Sequence, residues 1–415
     1  MKTETTSHKI YAEIDACRLC GSMSLNDVLD LGNQPPANSL RKDLGKPVPT
    51  APLCVVQCAQ CSTVQLTATV DPQYLFSQYV WVTATSSTAR NYSEKFCREI
   101  LSRTPSQSPF VVEIASNDGT FLRRFKEKGC EILGVDPATN IANAAIDSGI
   151  PTLPRFFDAN VAKEILAEHK QADVVVARNV IPHVKEILSI VEGLSTLAGS
   201  GGNVVVEFHY AKAIAGELHY DSIYHEHLFY FSLKSIRSLF EQYGLHAFDV
   251  FESPISGGSL VLFFSGEQKM HSDALTKLIE AEERSSLNQK STWQQFGENS
   301  KKHARELKKV VSKYAQKSPL VAYGASARSS TLMNYAGINN REVEYVIDRS
   351  EYKHGLFTPG TDIRIVSYEN GVPELDGKNV LLLAWNFEEE VVRDLRSSGF
   401  TGDIIVPLPN TIHIR

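Results

Sequence analysis

Short apolar runs alternate with amphipathic, helix-like segments from residue 110 onward, and this alternation limits the possible folds more than any other feature of the chain. The first set of runs lies at 110–115, 131–136, 173–179, 202–209 and 259–265. Such alternation predicts a mostly parallel sheet with helices on both faces. After connecting helices at 267–317, a second set at 319–325, 343–348, 379–385 and 403–408 predicts a smaller α/β domain.

The first run leads into a turn of small and polar residues, at the place where an open α/β sheet binds a nucleotide. The next run ends at Asp136, whose carboxylate can accept hydrogen bonds from ribose hydroxyls. The turn has one late glycine, whereas a dinucleotide needs close backbone approach at two or three. The turn therefore fits S-adenosylmethionine better than NAD, and a plain βα turn is the alternative interpretation.

Four cysteines near the N-terminus form two CxxC pairs, Cys17 with Cys20 and Cys58 with Cys61. Each pair can form a tight turn whose two thiolates face one cation, and two such turns complete a tetrahedral site, most simply for zinc. All four positions would be filled, so the metal would be structural. Buried free thiols are the alternative, but clustering without a secretion signal favours metal ligands.

A rival hypothesis uses Cys54 instead. The spacing Cys54-x3-Cys58-x2-Cys61 is the one with which radical S-adenosylmethionine enzymes hold an iron–sulfur cluster. That hypothesis leaves Cys17 and Cys20 without a metal to bind. It also adds a second S-adenosylmethionine site to the conventional one that the turn after residue 110 predicts. The sequence therefore favours zinc, with Cys54 as a spare thiol.

Residues 223–231 concentrate groups that can move protons or bind a metal, because Tyr224, His225, Glu226 and His227 stand in succession between apolar neighbours. On a strand His225 and His227 would share a face, whereas a helix or turn would group them differently. Apolar surroundings perturb pKa values, as is common at functional sites. His183 follows the 173–179 run and belongs at the same rim, where open α/β sheets gather catalytic groups. A metal pair and a structural histidine are the alternatives.

The smaller domain has a turn of its own after its first run, from Tyr323 through Ser326 to Arg328. Small residues, hydroxyls and an arginine at a helix N-terminus suit an anion such as phosphate, and a plain capped helix is the alternative. Gly258 and Ser259 form another turn, a candidate for backbone contact with a ligand.

The overall charge excludes some partners. A net charge of -6 and a pI near 6.1 give no electrostatic reason for binding nucleic acid or an anionic membrane. The first residues lack the apolar region of a signal peptide, and no run approaches the roughly 18 apolar residues of a membrane span. We expect a cytoplasmic protein of two or three domains.

Segments along nearly the whole chain resemble, in order, the S-adenosylmethionine-dependent C-methyltransferases that act on nucleotide-linked keto-deoxysugars. These segments are CRLCG with CAQC, EIASNDGTFL, GVDP, RNVIPHV, SIYHEHLFYFS, SGGSL, and YGASARSSTLMNY with VIDRSEYKHGLFTPGT. The resemblance implies an N-terminal zinc-binding domain (1–72), a Rossmann-like class I methyltransferase domain (73–266), and a helical connector with a C-terminal α/β domain that helps to hold the sugar nucleotide (267–415). It also favours a monomer.

The resemblance assigns roles by position. The implied catalytic residues are His227 as general base, with Tyr224, Glu226, His183 and, near the helical entrance, Tyr79. The implied cofactor-binding residues are Glu113, Ala115, Ser116, Asn117, Gly119, Asp136, Pro137 and Asn179. The implied substrate-binding residues are Gly258, Ser259, Tyr323, Ser326, Arg328 and Asp348. The four paired cysteines match the family's zinc ligands.

The implied reaction is methylation at C3 of a 4-keto-6-deoxy sugar carried on dTDP. Neutral His227 would remove the C3 proton that the 4-keto group acidifies, and the enolate carbon would then attack the sulfonium methyl group. His183 or Tyr224 would donate to the enolate oxygen, and Glu226 would orient the sugar or a histidine. The alternatives are an O- or N-methyltransferase, a non-catalytic sugar-nucleotide-binding protein, and a metallohydrolase that uses His225, Glu226 and His227.

Overall fold

The computed structural model describes residues 10–45, 47–76, 83–85, 87–409 and 412–415. The strands are β1 (Tyr11–Glu13), β2 (Leu25–Gln34), β3 (Ala51–Cys58), β4 (Val64–Leu66), β5 (Ala68–Val70), β6 (Phe110–Ile114), β7 (Glu131–Val135), β8 (Thr152–Leu153), β9 (Val174–Arg178), β10 (Asn203–His209), β11 (Phe229–Tyr230), β12 (His246–Ser253), β13 (Ser259–Ser265), β14 (Leu320–Tyr323), β15 (Val343–Ile347), β16 (Arg364–Val366), β17 (Asn379–Leu382), β18 (Ile404–Val406) and β19 (His413–Ile414). The α-helices are α1 (Pro72–Phe76), α2 (Ser87–Leu101), α3 (Thr120–Glu127), α4 (Thr139–Asp147), α5 (Ala159–Glu168), α6 (Ile187–Ala198), α7 (Ala211–Gly216), α8 (Leu233–Glu241), α9 (Asp273–Arg284), α10 (Lys290–Ala315), α11 (Ala327–Ala336), α12 (Tyr368–Gly371) and α13 (Glu388–Ser397).

The central unit is a seven-stranded sheet of order β12-β13-β10-β9-β6-β7-β8. Neighbouring strands from β10 to β8 pair in parallel, and β13 runs antiparallel to both β10 and β12. All the residues of β6 and β10 are buried, because helices cover both faces of the sheet. The strand order reverses between β6 and β9, so a ligand crevice is expected beyond their carboxyl ends. The predicted α/β class is confirmed.

The C-terminal unit is a six-stranded sheet of order β16-β15-β14-β17-β18-β19, parallel except for β19. Its order reverses between β14 and β17, which places Tyr323 and Trp385 at a second crevice. The predicted apolar runs all contain strands, whereas the short strands β8, β16 and β19 and the partly exposed β12 escaped prediction. Their two to eight residues carry too weak a pattern to be recognised.

The N-terminal sheet has the order β11-β4-β3-β2 and borrows its edge strand from far along the chain. β11 pairs antiparallel with β4, with Phe229 opposite Gln65 and Tyr230 opposite Val64. The stretch with the clustered histidines is therefore not one strand. It passes through a turn in which the His227 N–H donates to the Tyr224 carbonyl at 2.8 Å, and only its last part becomes β11.

Helix α10 connects the sheets and packs closely against the N-terminal one. A Cβ on Gly297 would come within 2.0 Å of the carbonyl oxygen of Val28 in β2, so glycine allows this approach. Trp293, Phe296 and Leu307 are buried along the same helix. Within the described parts of the chain, every helix is too short or too polar to cross a lipid bilayer.

Candidate active site and metal centre

The turn after β6 is held by a carboxylate from the neighbouring strand. Asp136 lies just beyond β7 and accepts hydrogen bonds from the backbone N–H groups of Asn117 and Ala138, both at 2.9 Å. Ala115, Asn117 and Gly119 have φ of 55°, 51° and 73°, so the backbone folds tightly at the crevice. The predicted cofactor residues gather at this rim, in the turn or at the ends of β6, β7 and β9: Glu113, Ala115, Ser116, Asn117, Gly119, Asp136, Pro137 and Asn179.

Two buried oxygens at this rim lack hydrogen-bond partners among the described residues, Glu113 Oε2 and Ser116 Oγ. The other oxygen of Glu113 lies 3.6 Å from Arg178 Nη1, and Arg178 also donates to Glu207 at 2.8 Å. Burial raises the pKa of Glu113 to about 8 despite the opposing effect of Arg178, so this carboxyl can donate near neutral pH. A buried polar group without a partner costs about 1–3 kcal/mol, which a bound adenosine can relieve. The rim thus fits the predicted cofactor.

The segment before α2 lies against the cofactor turn. Thr83 donates to Asn117 Oδ1 through its N–H at 2.9 Å and its hydroxyl at 3.0 Å. The N–H of Ala84 donates to Asp118 Oδ2 at 2.9 Å. The helical entrance therefore reaches the cofactor rim. Tyr79, predicted near this entrance, lies in 77–82 outside the described residues, and its role stays a prediction.

The four paired cysteines meet at one point of the N-terminal domain. The sulfur atoms of Cys17, Cys20, Cys58 and Cys61 all lie within 4.8 Å of one another, with pairs at 3.5 and 3.6 Å. A tetrahedral zinc site with Zn–S bonds of about 2.3 Å places its sulfurs about 3.8 Å apart, so the four thiols fit zinc. Gln65 Nε2 donates to Cys17 Sγ at 3.0 Å and can hold that ligand in place.

Cys54 lies outside this cluster. Its thiol donates to Asp30 Oδ1 at 3.1 Å, across the pairing of β3 with β2. The radical hypothesis requires Cys54 to converge with Cys58 and Cys61, and the structure joins those two to Cys17 and Cys20 instead. The described residues therefore give the iron–sulfur hypothesis no support.

His227 is the centre of the second group of predicted site residues. Its Nδ1 lies 2.9 Å from the carbonyl oxygen of Ser222, which can only accept, so Nδ1 carries the proton. Nε2 is then the basic nitrogen of the neutral ring, and the Tyr224 hydroxyl donates to it at 2.7 Å. The ring of His183 meets that of His227 edge-on, with centroids 4.7 Å apart. The structure thus brings together three predicted catalytic residues at the sheet rim.

The pKa values of this group favour neutral histidines and a protonated phenol. Burial, with smaller effects of His183 and Arg328, holds the pKa of His227 well below its usual range. Burial also lowers the pKa of His183 to about 4. The same cause raises the pKa of Tyr224. Near pH 7 the site therefore has a basic imidazole nitrogen beside a hydroxyl donor.

His225 and Glu226 turn toward the N-terminal domain. His225 is 1% exposed and its Nε2 donates to the carbonyl oxygen of Ala51 at 3.1 Å. Glu226 is buried as well and accepts from Asn38 Nδ2 at 2.7 Å. His225 and His227 therefore have different partners, and the described residues do not place them on a common metal. The sequence missed Asn38, which lies in a loop without any motif.

Arg328 contacts the methyltransferase domain. Its guanidinium donates to both carboxylate oxygens of Asp221, at 3.0 and 3.1 Å, and lies 4.6 Å over the ring of Trp385. Trp385 Nε1 donates to the same carboxylate at 2.8 Å. The sequence missed Asp221 and Trp385, because their partners lie 107 and 164 residues away.

The remaining predicted substrate residues lie at two rims. Ser326 caps α11 in a capping box with Ser329, Asp348 accepts from the Ala325 N–H at 2.8 Å, and Tyr323 accepts from Arg349 at 3.1 Å. Gly258 and Ser259 lie beside the end of β10, where Ser259 pairs with His209. Ser259 Oγ and His209 Nε2 are buried without partners among the described residues, which makes His209 a further candidate contact for a ligand.

Three family models match successive parts of the chain: a zinc binding domain at residues 17–76, a methyltransferase domain at 89–249, and a C-methyltransferase C-terminal domain at 254–409. C-methyltransferase NovU from Streptomyces niveus is 31% identical over 412 residues, which cover 96% of this chain and 97% of that protein. The match therefore extends through all three parts of the chain.

Solved structures align with part of the chain only. The PH0226 protein from Pyrococcus horikoshii OT3 is 14% identical, with a TM-score of 0.37, and covers 47% of this chain and 96% of its own. Magnesium protoporphyrin IX methyltransferase (ChlM) from Synechocystis PCC 6803 with bound SAM is 12% identical, with a TM-score of 0.33, and covers 42% and 78%. These structural similarities are too remote to indicate what the site does.

Proposed function

Because the chain belongs to the family of S-adenosylmethionine-dependent C-methyltransferases, we propose that it methylates C3 of a nucleotide-linked 4-keto-6-deoxy sugar, carried most simply on dTDP. The Tyr224–His227 pair is the observation that supports this proposal most directly. Carbon is a poor nucleophile until a proton beside a carbonyl is removed, and His227 offers a neutral, oriented base for that step.

In the proposed reaction, His227 Nε2 takes the C3 proton and the electrons of the broken C–H bond form the enolate of the 4-keto group. The C3–H group replaces the Tyr224 hydroxyl at Nε2. That hydroxyl can then donate to the enolate oxygen, where negative charge develops. Ser222 keeps its hydrogen bond to Nδ1 throughout, so the ring holds its orientation. His183 is a second donor. Glu226, predicted to orient the sugar or a histidine, accepts from Asn38 and would act by positioning the turn that carries His227.

The cofactor rim lies at the carboxyl ends of β6 and β7. S-adenosylmethionine, when bound, supplies an electrophilic methyl group for the enolate carbon. Ser116, Asn117 and Asp136 would hold its adenosine moiety, and the protonated Glu113 carboxyl would add a donor. Holding both reactants in one geometry turns an encounter in solution into an oriented transfer.

Two rims would hold the sugar nucleotide: Gly258 and Ser259 lie beside the end of β10, and Tyr323, Ser326, Arg328 and Asp348 lie at the C-terminal crevice. Lys353 adds a cation that suits an anionic diphosphate, since its Nζ lies 2.9 Å from the Ala325 carbonyl and 3.1 Å from Asp348. The proposal keeps domains at 1–72, 73–266 and 267–415, a monomer in the cytoplasm, and no nucleic-acid partner.

The product identifies the reaction. We expect purified protein with ¹³C-methyl-labelled S-adenosylmethionine and a dTDP-4-keto-6-deoxyhexose to yield a methyl group bonded to C3, detected by its NMR correlations to C2 and C4. In D₂O without cofactor, the C3 proton should exchange in the wild type and not in His227→Asn. A methyl ether would indicate an O-methyltransferase, and binding of both ligands without transfer would indicate a binding protein.

Asp136→Asn should weaken S-adenosylmethionine binding on the order of 10-fold, about 1.4 kcal/mol, measured by calorimetry. The carboxylate now accepts hydrogen bonds from two backbone N–H groups. The amide of asparagine would place its own N–H group against one of these two donors. Asp348→Asn is a matched control, because Asp348 accepts from the N–H groups of Ala325 and Ser350, both at 2.8 Å, in the other α/β domain. Equal losses in the two variants would contradict the assignment of the cofactor rim.

A further inference from the structure

Residues 220–231, which we name the catalytic segment, belong to the methyltransferase part of the chain but are bonded to both other domains. The C-terminal domain holds the first half. The hydroxyl of Tyr220 donates to His303 Nδ1 at 2.9 Å, and Thr331 Oγ1 donates to the Ile223 carbonyl at 2.8 Å. Asp221 lies between these two positions and accepts from Arg328 and Trp385.

The N-terminal domain holds the second half of the catalytic segment. His225 donates to the Ala51 carbonyl, Asn38 donates to Glu226, and the Leu66 N–H donates to the Leu228 carbonyl at 2.9 Å. Tyr224 lies between the two sets of contacts, and His227 lies within the second. Their geometry therefore depends on contacts with both domains.

Asp221 has the most concentrated contacts within this segment. Its side chain is 1% exposed and its two oxygens receive three N–H donors from Arg328 and Trp385. The next residue is Ser222, whose carbonyl oxygen accepts the Nδ1 proton of His227. A shift of Asp221 would move that carbonyl, because Asp221 and Ser222 are bonded neighbours in one short 3₁₀ turn.

We propose that Asp221 is a positioning residue for methyl transfer: by docking the C-terminal domain through Arg328 and Trp385, it fixes the Ser222 carbonyl and thereby the His227 tautomer that leaves Nε2 basic. Asp221 touches no reacting atom in this scheme. The role rests on the proposed function, since only a reaction that needs a base at Nε2 gains from it. When the C-terminal domain, which holds the acceptor sugar, docks on Asp221, it would thus also align His227, the base that activates that sugar.

The test compares Asp221→Asn with the wild type by ¹⁵N NMR of the histidine rings and by turnover. The wild type should show His227 protonated at Nδ1 alone, its signals assigned by their absence in His227→Asn. Asp221→Asn should show a mixture of tautomers and a kcat lower on the order of 100-fold, with the dissociation constant of S-adenosylmethionine within about twofold. Trp385→Phe removes one donor and should give a smaller change of the same kind.

Asp362→Asn is the matched control, because Asp362 forms an ion pair with Arg41 between the C-terminal and N-terminal domains, away from the catalytic segment. It should alter neither the tautomer nor kcat. A lower melting temperature of Asp221→Asn, with tautomer and kcat unchanged, would overturn the proposal. The NMR measurement needs no acceptor, so failure of the sugar assignment would leave its outcome interpretable.

Discussion

His227→Asn should lower kcat on the order of 1000-fold while the dissociation constant of S-adenosylmethionine stays within about twofold. Asparagine keeps a side chain of similar shape but offers no basic nitrogen at the position of Nε2, so the acceptor carbon keeps its proton. Stopped turnover with labelled cofactor measures kcat, and calorimetry measures binding. A kcat equal to that of the wild type would mean that another group is the base, and His183 is the candidate because it lies next to His227.

His225→Asn is the matched control for this variant. Both histidines lie in the same turn, but His225 donates to the Ala51 carbonyl and is 1% exposed. Its loss should lower the free energy of unfolding, because a buried carbonyl would lose its donor. The kcat of the folded fraction should fall much less than in His227→Asn. Comparable losses would mean that the turn, and not the base, was damaged.

The pH dependence of the wild type follows from the same base. Only neutral His227 can accept a proton, and burial holds its pKa well below the usual value of about 6.5. As pH falls, the imidazole therefore stays neutral and active through 6.5 and is protonated only further down. At saturating S-adenosylmethionine, we expect kcat/KM for the sugar nucleotide to be level from pH 7 to 6.5, with its acid limb below that range; above pH 7, loss of the Glu113 proton, whose pKa is about 8, removes a donor from the cofactor rim. An acid limb at 6.5 or above would contradict a buried neutral base.

Local patterns predicted the parts of this protein that local physics determines. The CxxC pairs converge because each turn brings two thiols together, and Asp136 clamps the turn after β6 because parallel strands end at one rim. The same logic placed His183 and His227 at that rim, and the two rings are 4.7 Å apart.

Long-range contacts could not be predicted in this way. The place of Arg328 at a helix N-terminus predicts a contact with a nucleotide, but it gives no sign of the bond from its guanidinium to Asp221, which lies 107 residues away. β11 pairs with β4 although more than half of the methyltransferase domain lies between them in the sequence. The two residues of β11 form no pattern that would identify β4 as their partner. His225 and His227 face different partners because the chain turns between Tyr224 and His227, so an alternating strand pattern could not reveal which histidine faces the site.

Removing zinc should reduce turnover far more than it reduces cofactor binding, because the metal centre and the catalytic segment share one sheet. β4 begins three residues after Cys61, and its Gln65 contacts both Cys17 Sγ and Arg18. β4 then pairs with β11, and Leu66 holds the Leu228 carbonyl next to His227. Structural zinc contributes about 10–16 kcal/mol in small zinc domains, so without it this sheet cannot keep its form.

Cys58→Ser should therefore lose its bound zinc, one ion per chain in the wild type, and lower kcat at least on the order of 100-fold. The dissociation constant of S-adenosylmethionine should change by less than about threefold, because the cofactor rim lies on β6 and β7 of another sheet. Cys54→Ser provides the control, since Cys54 contacts Asp30 outside the metal centre and its loss should leave zinc content and kcat unchanged. Metal analysis measures the bound zinc, near-UV circular dichroism reports the folded state, and calorimetry measures cofactor binding.

Full turnover without zinc would contradict the proposed connection from the metal centre through β4 and β11 to the catalytic segment. Iron in place of zinc would support the radical hypothesis. A loss of cofactor binding as large as the loss of kcat would mean that zinc supports the whole chain and not the catalytic segment in particular.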